Sequence, residues 1–188
     1  VYNFEHVCVP ALSESIKGRT ILLGGFSKAY AMTGWRIGYA AGPADLIKGL
    51  VRIHQYTIMS APTTAQDAAI EALAHGEPFV QEMVTEYDRR RRLLVDGLNH
   101  LGLQTFEPRG AFYAFPDVTG LYGIQWGDRR LASADDVSLW QLEVCGIAAV
   151  AGEPFGAPGH VRYSYAAAES VIDEALSVLG AAVASAKR

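Results

Sequence analysis

The chain has 188 residues, of which 50% are hydrophobic and 19% charged, and a formal net charge of −4. That balance excludes a disordered tail, and the mild acidity leaves no basic footprint for nucleic acid or a membrane surface. No apolar run approaches the roughly 20 residues of a spanning helix, and Cys8 and Cys145 show neither paired nor metal-like spacing, which points to a reducing, cytoplasmic compartment.

The opening, Val1-Tyr2-Asn3-Phe4-Glu5, lacks both the charged start and the apolar core of a signal peptide and reads like the middle of a protein. Thr20-Ile21-Leu22-Leu23-Gly24 is a short apolar run after Lys17 and Arg19, the pattern of a buried strand, and Gly24-Gly25 is expected to turn the backbone sharply. A second strand is expected over residues 36–41, with a loop or short turn of helix over 27–34 between the two. The first polar cluster therefore falls between two buried strands. From Ala44 onward, Leu46, Ile47, Leu50, Val51 and Ile53 recur at helical spacing. Ser60-Ala61-Pro62 ends that helix, and Thr63 or Thr64 is placed to cap another reaching His75-Gly76. A third helix is expected over about residues 78–100, with Pro78 near its first turn. Its four consecutive arginines, 89–92, read as a solvated face paired with Glu82, Glu86 and Asp88.

Past Gly102, residues 103–106 and 111–115 read as strands around a turn at Pro108-Arg109-Gly110, and 117–130 as a Gly-containing loop. A helix is expected from Ser133 or Asp135 to Val144, strands over 146–151 and 160–165 with a Gly/Pro loop between them, and a closing amphipathic helix over about 169–184. The expected organisation is a region of residues 1–60, an intervening segment of 61–75, and a second region of 76–188.

The segment from Gly25 to Tyr39 carries the sharpest chemistry. A lysine at the end of a buried strand, among Gly, Phe, Ala and Tyr, would be partly desolvated, which favours the neutral amine that attacks an aldehyde to form a Schiff base. Eight residues after Lys28, Arg36 opens the next strand with a guanidinium suited to phosphate, Ser27 adds a hydroxyl, and Gly24-Gly25 permits close backbone approach of an anion. An amine for an aldehyde and a guanidinium for a phosphate together describe pyridoxal phosphate. Spacing alone leaves open a surface lysine and an ordinary ion pair.

The residues themselves go further. Ser27-Lys28 followed by Gly34-Trp35-Arg36-Ile37-Gly38 resembles the cofactor-lysine motif of the class I, fold type I, pyridoxal-phosphate-dependent aminotransferases. The resemblance continues through Ser60-Ala61-Pro62 with Gln66, Gly110-Ala111-Phe112-Tyr113, Gly152-Glu153-Pro154-Phe155-Gly156 and Val161-Arg162-Tyr163-Ser164, covering nearly the whole chain, and is nearest to the bacterial aspartate aminotransferase branch. It implies an α/β fold in which residues 1–60 end a large, mainly parallel-sheet domain and 76–188 form most of a small α+β domain. It also implies Lys28 as the aldimine lysine and catalytic proton carrier. Arg36 and Ser27 would be phosphate ligands, Gly25 would contribute through its backbone, and Arg162 would hold the substrate α-carboxylate. The implied reaction passes an amino group between an amino acid, aspartate or another common one, and a 2-oxo acid, in a homodimer. The family's carboxylate for the pyridine nitrogen, its asparagine, ring-stacking aromatic and Gly-rich phosphate loop are expected upstream of Val1, so the fragment by itself is expected to be inactive. A carbon–sulfur lyase of the same fold, or the aminotransferase-like domain of a transcriptional regulator, would keep Lys28 and Arg36. His6, His54, His75, His100 and His160 have no metal spacing, Trp35, Tyr39 and Phe112 read as core, and Cys145 as an inert thiol.

Overall fold

The computed structural model describes residues 1–186. They divide into two compact units: residues 4–84, and residues 85–186 together with Val1–Asn3.

Residues 4–84 begin with a short helix α1 (Glu14–Lys17), capped by the Ser13 hydroxyl, which accepts from the Ile16 N–H. Strand β1 (Leu22–Gly25) leads into a single helical turn, α2 (Phe26–Ala29), then a 3-10 turn over Thr33–Trp35, and strand β2 (Gly38–Ala41) returns antiparallel to β1. The expected buried strands are not buried: β2 is exposed along its length and Leu23 of β1 is 74% exposed, because the two strands pair only with each other. Trp35 and Tyr39 are likewise exposed and not core. Nor does Gly24-Gly25 make a turn. Both glycines lie within β1, and Gly24 is needed for space, since a Cβ there would sit 2.3 Å from the ring of Tyr39 on the facing strand. Helix α3 (Ala44–Thr57) has the expected apolar stripe but buries none of its residues. Helix α4 (Thr63–His75) starts after Pro62 without a side-chain cap, so both threonines lie inside it. Its small residues Ala68, Ala69 and Ala72 let Phe26, Met32, Tyr30 and Ile37 pack closely as the core of this unit.

Helix α5 (Glu77–His100) is continuous over 24 residues. The arginine run is less solvated than expected. Arg89 and Arg90 pair with Glu86, and Arg92 with Asp88, but Arg91 is 2% exposed, held by Asp88 and Glu107 with the Tyr2 ring beside its guanidinium. Glu82 does not appear among these ion pairs. Arg89 also pairs with Glu169. Residues 103–106 form no strand; their link to the sheet is one bond, from the Asp117 N–H to the Gln104 carbonyl, and Phe106 is exposed.

A three-stranded antiparallel sheet lies within this unit. Its strands are β3 (Tyr113–Ala114), β6 (Val150–Ala151) and β7 (Val161–Ser164), ordered β3-β7-β6. The expected loop of 117–130 instead contains a hairpin, β4 (Gln125–Trp126) with β5 (Arg129–Arg130), turning at Gly127, whose φ of +57° suits glycine. Helix α6 (Ala134–Trp140) is capped by Ser133, whose hydroxyl accepts from the Asp136 N–H, and runs into a π-helical turn over Gln141–Cys145. Helix α7 (Glu169–Ser185) closes the unit. Every strand pair among the described residues is antiparallel; the two strands contributed by residues 4–84 join no parallel neighbour.

Candidate functional site

The candidate site in residues 4–84 is the connection between β1 and β2. The register sets Gly25 opposite Gly38, so residues 26–37, which contain Ser27, Lys28 and Arg36, leave and rejoin the sheet at one end. Phe26 anchors the first turn. Its side chain is 3% exposed, packs on Met32 and Ala69, and lies 5.4 Å from the Tyr30 ring and 5.7 Å from the Tyr39 ring. Positions two apart on a helical turn do not share a face. Burying Phe26 therefore turns Lys28 outward, and Lys28 is exposed while Ser27 is half-buried. The expectation of a buried lysine is not met within this chain, because Phe26 takes the buried face of the turn.

Arg36 ends the 3-10 turn two residues before β2, which starts at Gly38 and not at residue 36 as expected. Its backbone is left-handed, φ +52°, as is that of Ala31, φ +55°. For side chains with a Cβ this conformation costs roughly 1–2 kcal/mol each, and such strain concentrates at binding sites. The Arg36 Nη1 donates to the Thr33 carbonyl at 2.8 Å, which fixes one end of the guanidinium. The Phe26 N–H donates to the Ile37 carbonyl, so the neighbouring Gly25–Gly38 pair is of the non-hydrogen-bonded kind. The Gly25 N–H accordingly faces away from β2, and a Cβ at Gly25 would meet nothing within 4 Å. One connection thus presents an amine, a hydroxyl, a guanidinium and an outward N–H next to open space, a donor set that fits a ligand bearing an aldehyde and a phosphate.

Arg162 belongs to the other unit, in the middle strand of its sheet. Residues alternate along β7: Val161, Tyr163 and Tyr165 are buried, whereas Arg162 and Ser164 face the other side. Beneath it, the Tyr163 hydroxyl accepts from Gln141 Nε2 at 2.5 Å, and burial pushes the phenol far above its ordinary range. Arg162 is half-buried, with its guanidinium carbon 4.4 Å from the ring centres of both Tyr113 and Phe155. These two rings were not among the expected site residues. The strand alternation carried the signal for Tyr113; nothing in the pattern pointed to Phe155. Burial also raises the Cys145 thiol, which suits an inert cysteine. Among the described residues, no group of three or more His, Cys, Asp or Glu could hold a metal ion, and no helix is long and apolar enough to cross a membrane.

Comparison with known proteins bears on the whole arrangement. Residues 2–179 match the family described as aminotransferase class I and II. The aspartate aminotransferase of Rhizobium meliloti (strain 1021) is 38% identical over 185 residues, covering 97% of this chain and 45% of that protein. The crystal structure of the Rhizobium meliloti aspartate aminotransferase superposes with a TM-score of 0.92 at 36% identity, covering 100% of this chain and 47% of that one. The aromatic aminotransferase of Pyrococcus horikoshii OT3 superposes with a TM-score of 0.85 at 35% identity, covering 98% and 48%. The chain spans about half the length of the relatives it matches. Its fold is that of the fold type I enzymes, whose class I aminotransferases use pyridoxal phosphate and act on amino acids and 2-oxo acids. The chain belongs to the class I and II aminotransferases.

Proposed function

We propose that the protein containing this chain transfers an amino group between an L-amino acid, aspartate or another common one, and a 2-oxo acid, and that Lys28 is its catalytic residue. The observation carrying this reading is the single connection that holds both Lys28 and Arg36 between the paired ends of β1 and β2. When bound, pyridoxal phosphate supplies an aldehyde that condenses with amines and a ring that withdraws electrons from the substrate. The chain's own residues do the rest. Lys28 Nζ would hold the cofactor through its aldehyde and would move the proton at the substrate Cα. Arg36, pinned at Nη1 by the Thr33 carbonyl, offers its remaining donors to the phosphate, joined by the Ser27 hydroxyl and the Gly25 N–H. Arg162 takes the substrate α-carboxylate through paired N–H donors and orients the Cα–H bond.

In this reading residues 1–60 complete the cofactor-binding domain, 61–75 connect, and 76–188 form most of the small domain, the last two lying outside the described residues. The intact protein is a cytoplasmic homodimer. The remaining part of the polypeptide supplies the carboxylate for the pyridine nitrogen, so the 188-residue chain alone binds the cofactor weakly and turns over little.

The test is Lys28→Ala in the full-length protein. It should abolish the absorbance of the lysine-bound cofactor and lower kcat by at least ~10²–10⁴-fold, the scale of general acid–base catalysis. Unchanged absorbance sinks the reading. Pyruvate and ammonia formed without an amino acceptor would replace transamination with carbon–sulfur cleavage. Tight cofactor binding by the isolated chain would contradict the need for the remaining part.

A further inference from the structure

Arg162 differs from the four arginines of α5 in what surrounds it. Each of those is paired with a carboxylate. No ion pair joins Arg162 to a carboxylate among the described residues. Aromatic rings take that place, with Tyr113 and Phe155 each centred 4.4 Å from its guanidinium carbon.

The sheet explains the arrangement. β7 runs between β3 and β6. Tyr113 of β3 pairs with Ser164, two residues beyond Arg162 and on the same face, so Tyr113 is the diagonal neighbour of Arg162 from one flank. Phe155 comes from the other flank, in the 3-10 turn Glu153–Phe155 that follows β6, where Val150 pairs with Arg162. Both rings are braced. Tyr113 lies 4.5 Å from Phe112, and Phe155 stands edge-on to Phe115 at 6.2 Å, itself 5.4 Å from the His160 ring.

A guanidinium carries all its N–H donors in its plane. Rings approaching from both flanks hold that plane through attraction to the ring faces, and neither brings a carboxylate to compete with an anionic ligand. The N–H edge stays available for a planar, two-oxygen anion. A carboxylate neighbour would instead occupy the same donors.

We infer that Tyr113 and Phe155 are positioning residues, holding the Arg162 guanidinium edge-outward for the substrate carboxylate. The inference rests on the carboxylate role proposed above for Arg162. Phe155 is the ring whose part can be separated from folding, because it keeps 49% of its surface exposed and so contributes little to the core.

The experiment uses the full-length enzyme. Phe155→Leu keeps apolar bulk and removes the ring face; Phe155→Trp restores a ring with the strongest attraction for a cation. Phe155→Leu should raise the KM for the amino acid and the Kd for maleate roughly tenfold, with a smaller fall in kcat, and Phe155→Trp should return these to about the parent values. Unchanged affinity in Phe155→Leu overturns the inference. So does a loss that Phe155→Trp fails to restore, since that would mark a packing effect. Arg162→Ala separates the two levels. If it abolishes maleate binding while Phe155→Leu does not weaken it, only the positioning role fails. If Arg162→Ala binds maleate like the parent, the carboxylate reading itself fails.

Discussion

Residues 85–186 and residues 4–84 place their apolar side chains in opposite ways. The former bury Leu98, Leu103, Val118, Ile124, Val137, Val161, Tyr165 and Leu179 almost completely. The latter bury only Phe26, Met32, Ala65 and Ala69 among their hydrophobic residues, and leave Leu23, Ile53, Tyr56, Met59, Ile70 and Phe79 largely exposed. Full burial of one such side chain is worth about 1.5–3 kcal/mol, so the two units differ in how much of their stability is internal. The unit bearing Lys28 and Arg36 holds those residues with one anchoring phenylalanine and a small alanine-lined cluster, whereas the unit bearing Arg162 has a core of its own.

Hydrogen exchange on the whole chain tests this contrast most severely. Amides of α5 around Leu94–Leu98 and of β7 should exchange orders of magnitude more slowly than those of β1 and β2. Equal protection would break the comparison. Point substitutions sharpen it. Leu98→Ala, at 1% exposure, should cost about 2–5 kcal/mol by chemical denaturation, whereas Ile70→Ala, at 66% exposure, should change stability by no more than about 0.5 kcal/mol. A smaller effect is expected below Arg162. Tyr163→Phe strands the buried Gln141 amide and should cost about 1–3 kcal/mol. Replacing Gln141 by Leu in the same variant should recover part of that loss, since no donor is then left unpaired.

The smallest effect is electrostatic. Hydrogen bonds from Arg89 and then Arg90 hold the Glu86 carboxyl down at about 2, from an ordinary 4.5. A carboxyl lowered by folding stabilises the folded state above its ordinary range and loses that contribution as pH falls toward its folded value. Glu86→Gln should therefore narrow the stability difference between pH 5 and pH 2 slightly, because the pair is well exposed to solvent. A difference that persists unchanged would assign the acid sensitivity to other carboxylates.

Much of this architecture was legible in the sequence where the cause is local. The helix after Ala44, the break at Pro62, the long helix ending at His100, the Ser133 cap and the closing helix all follow from spacing and turn residues, and each lies where that chemistry puts it. The short strands were harder. A two-residue strand such as β3 or β6 exists only because a partner pairs with it, so residues 103–106, with equal apolar content but one bond to the sheet, stay irregular. The hairpin around Gly127 was hidden for the same reason, its strands being two residues long and mostly polar.

By itself the sequence determined which residues are the candidates for the proposed chemistry, because Ser27-Lys28 and Gly34-Trp35-Arg36 bring a hydroxyl, an amine and a guanidinium into one short segment. The tertiary structure decided how those groups are presented. Burial of Phe26 turns Lys28 outward, a left-handed backbone at Arg36 leads into β2, and two rings, one from β3 and one from the 3-10 turn after β6, flank Arg162. The Tyr113–Arg162 contact joins residues far apart in the chain and the exposure of Lys28 is a choice between faces of one turn, and neither is written in local spacing.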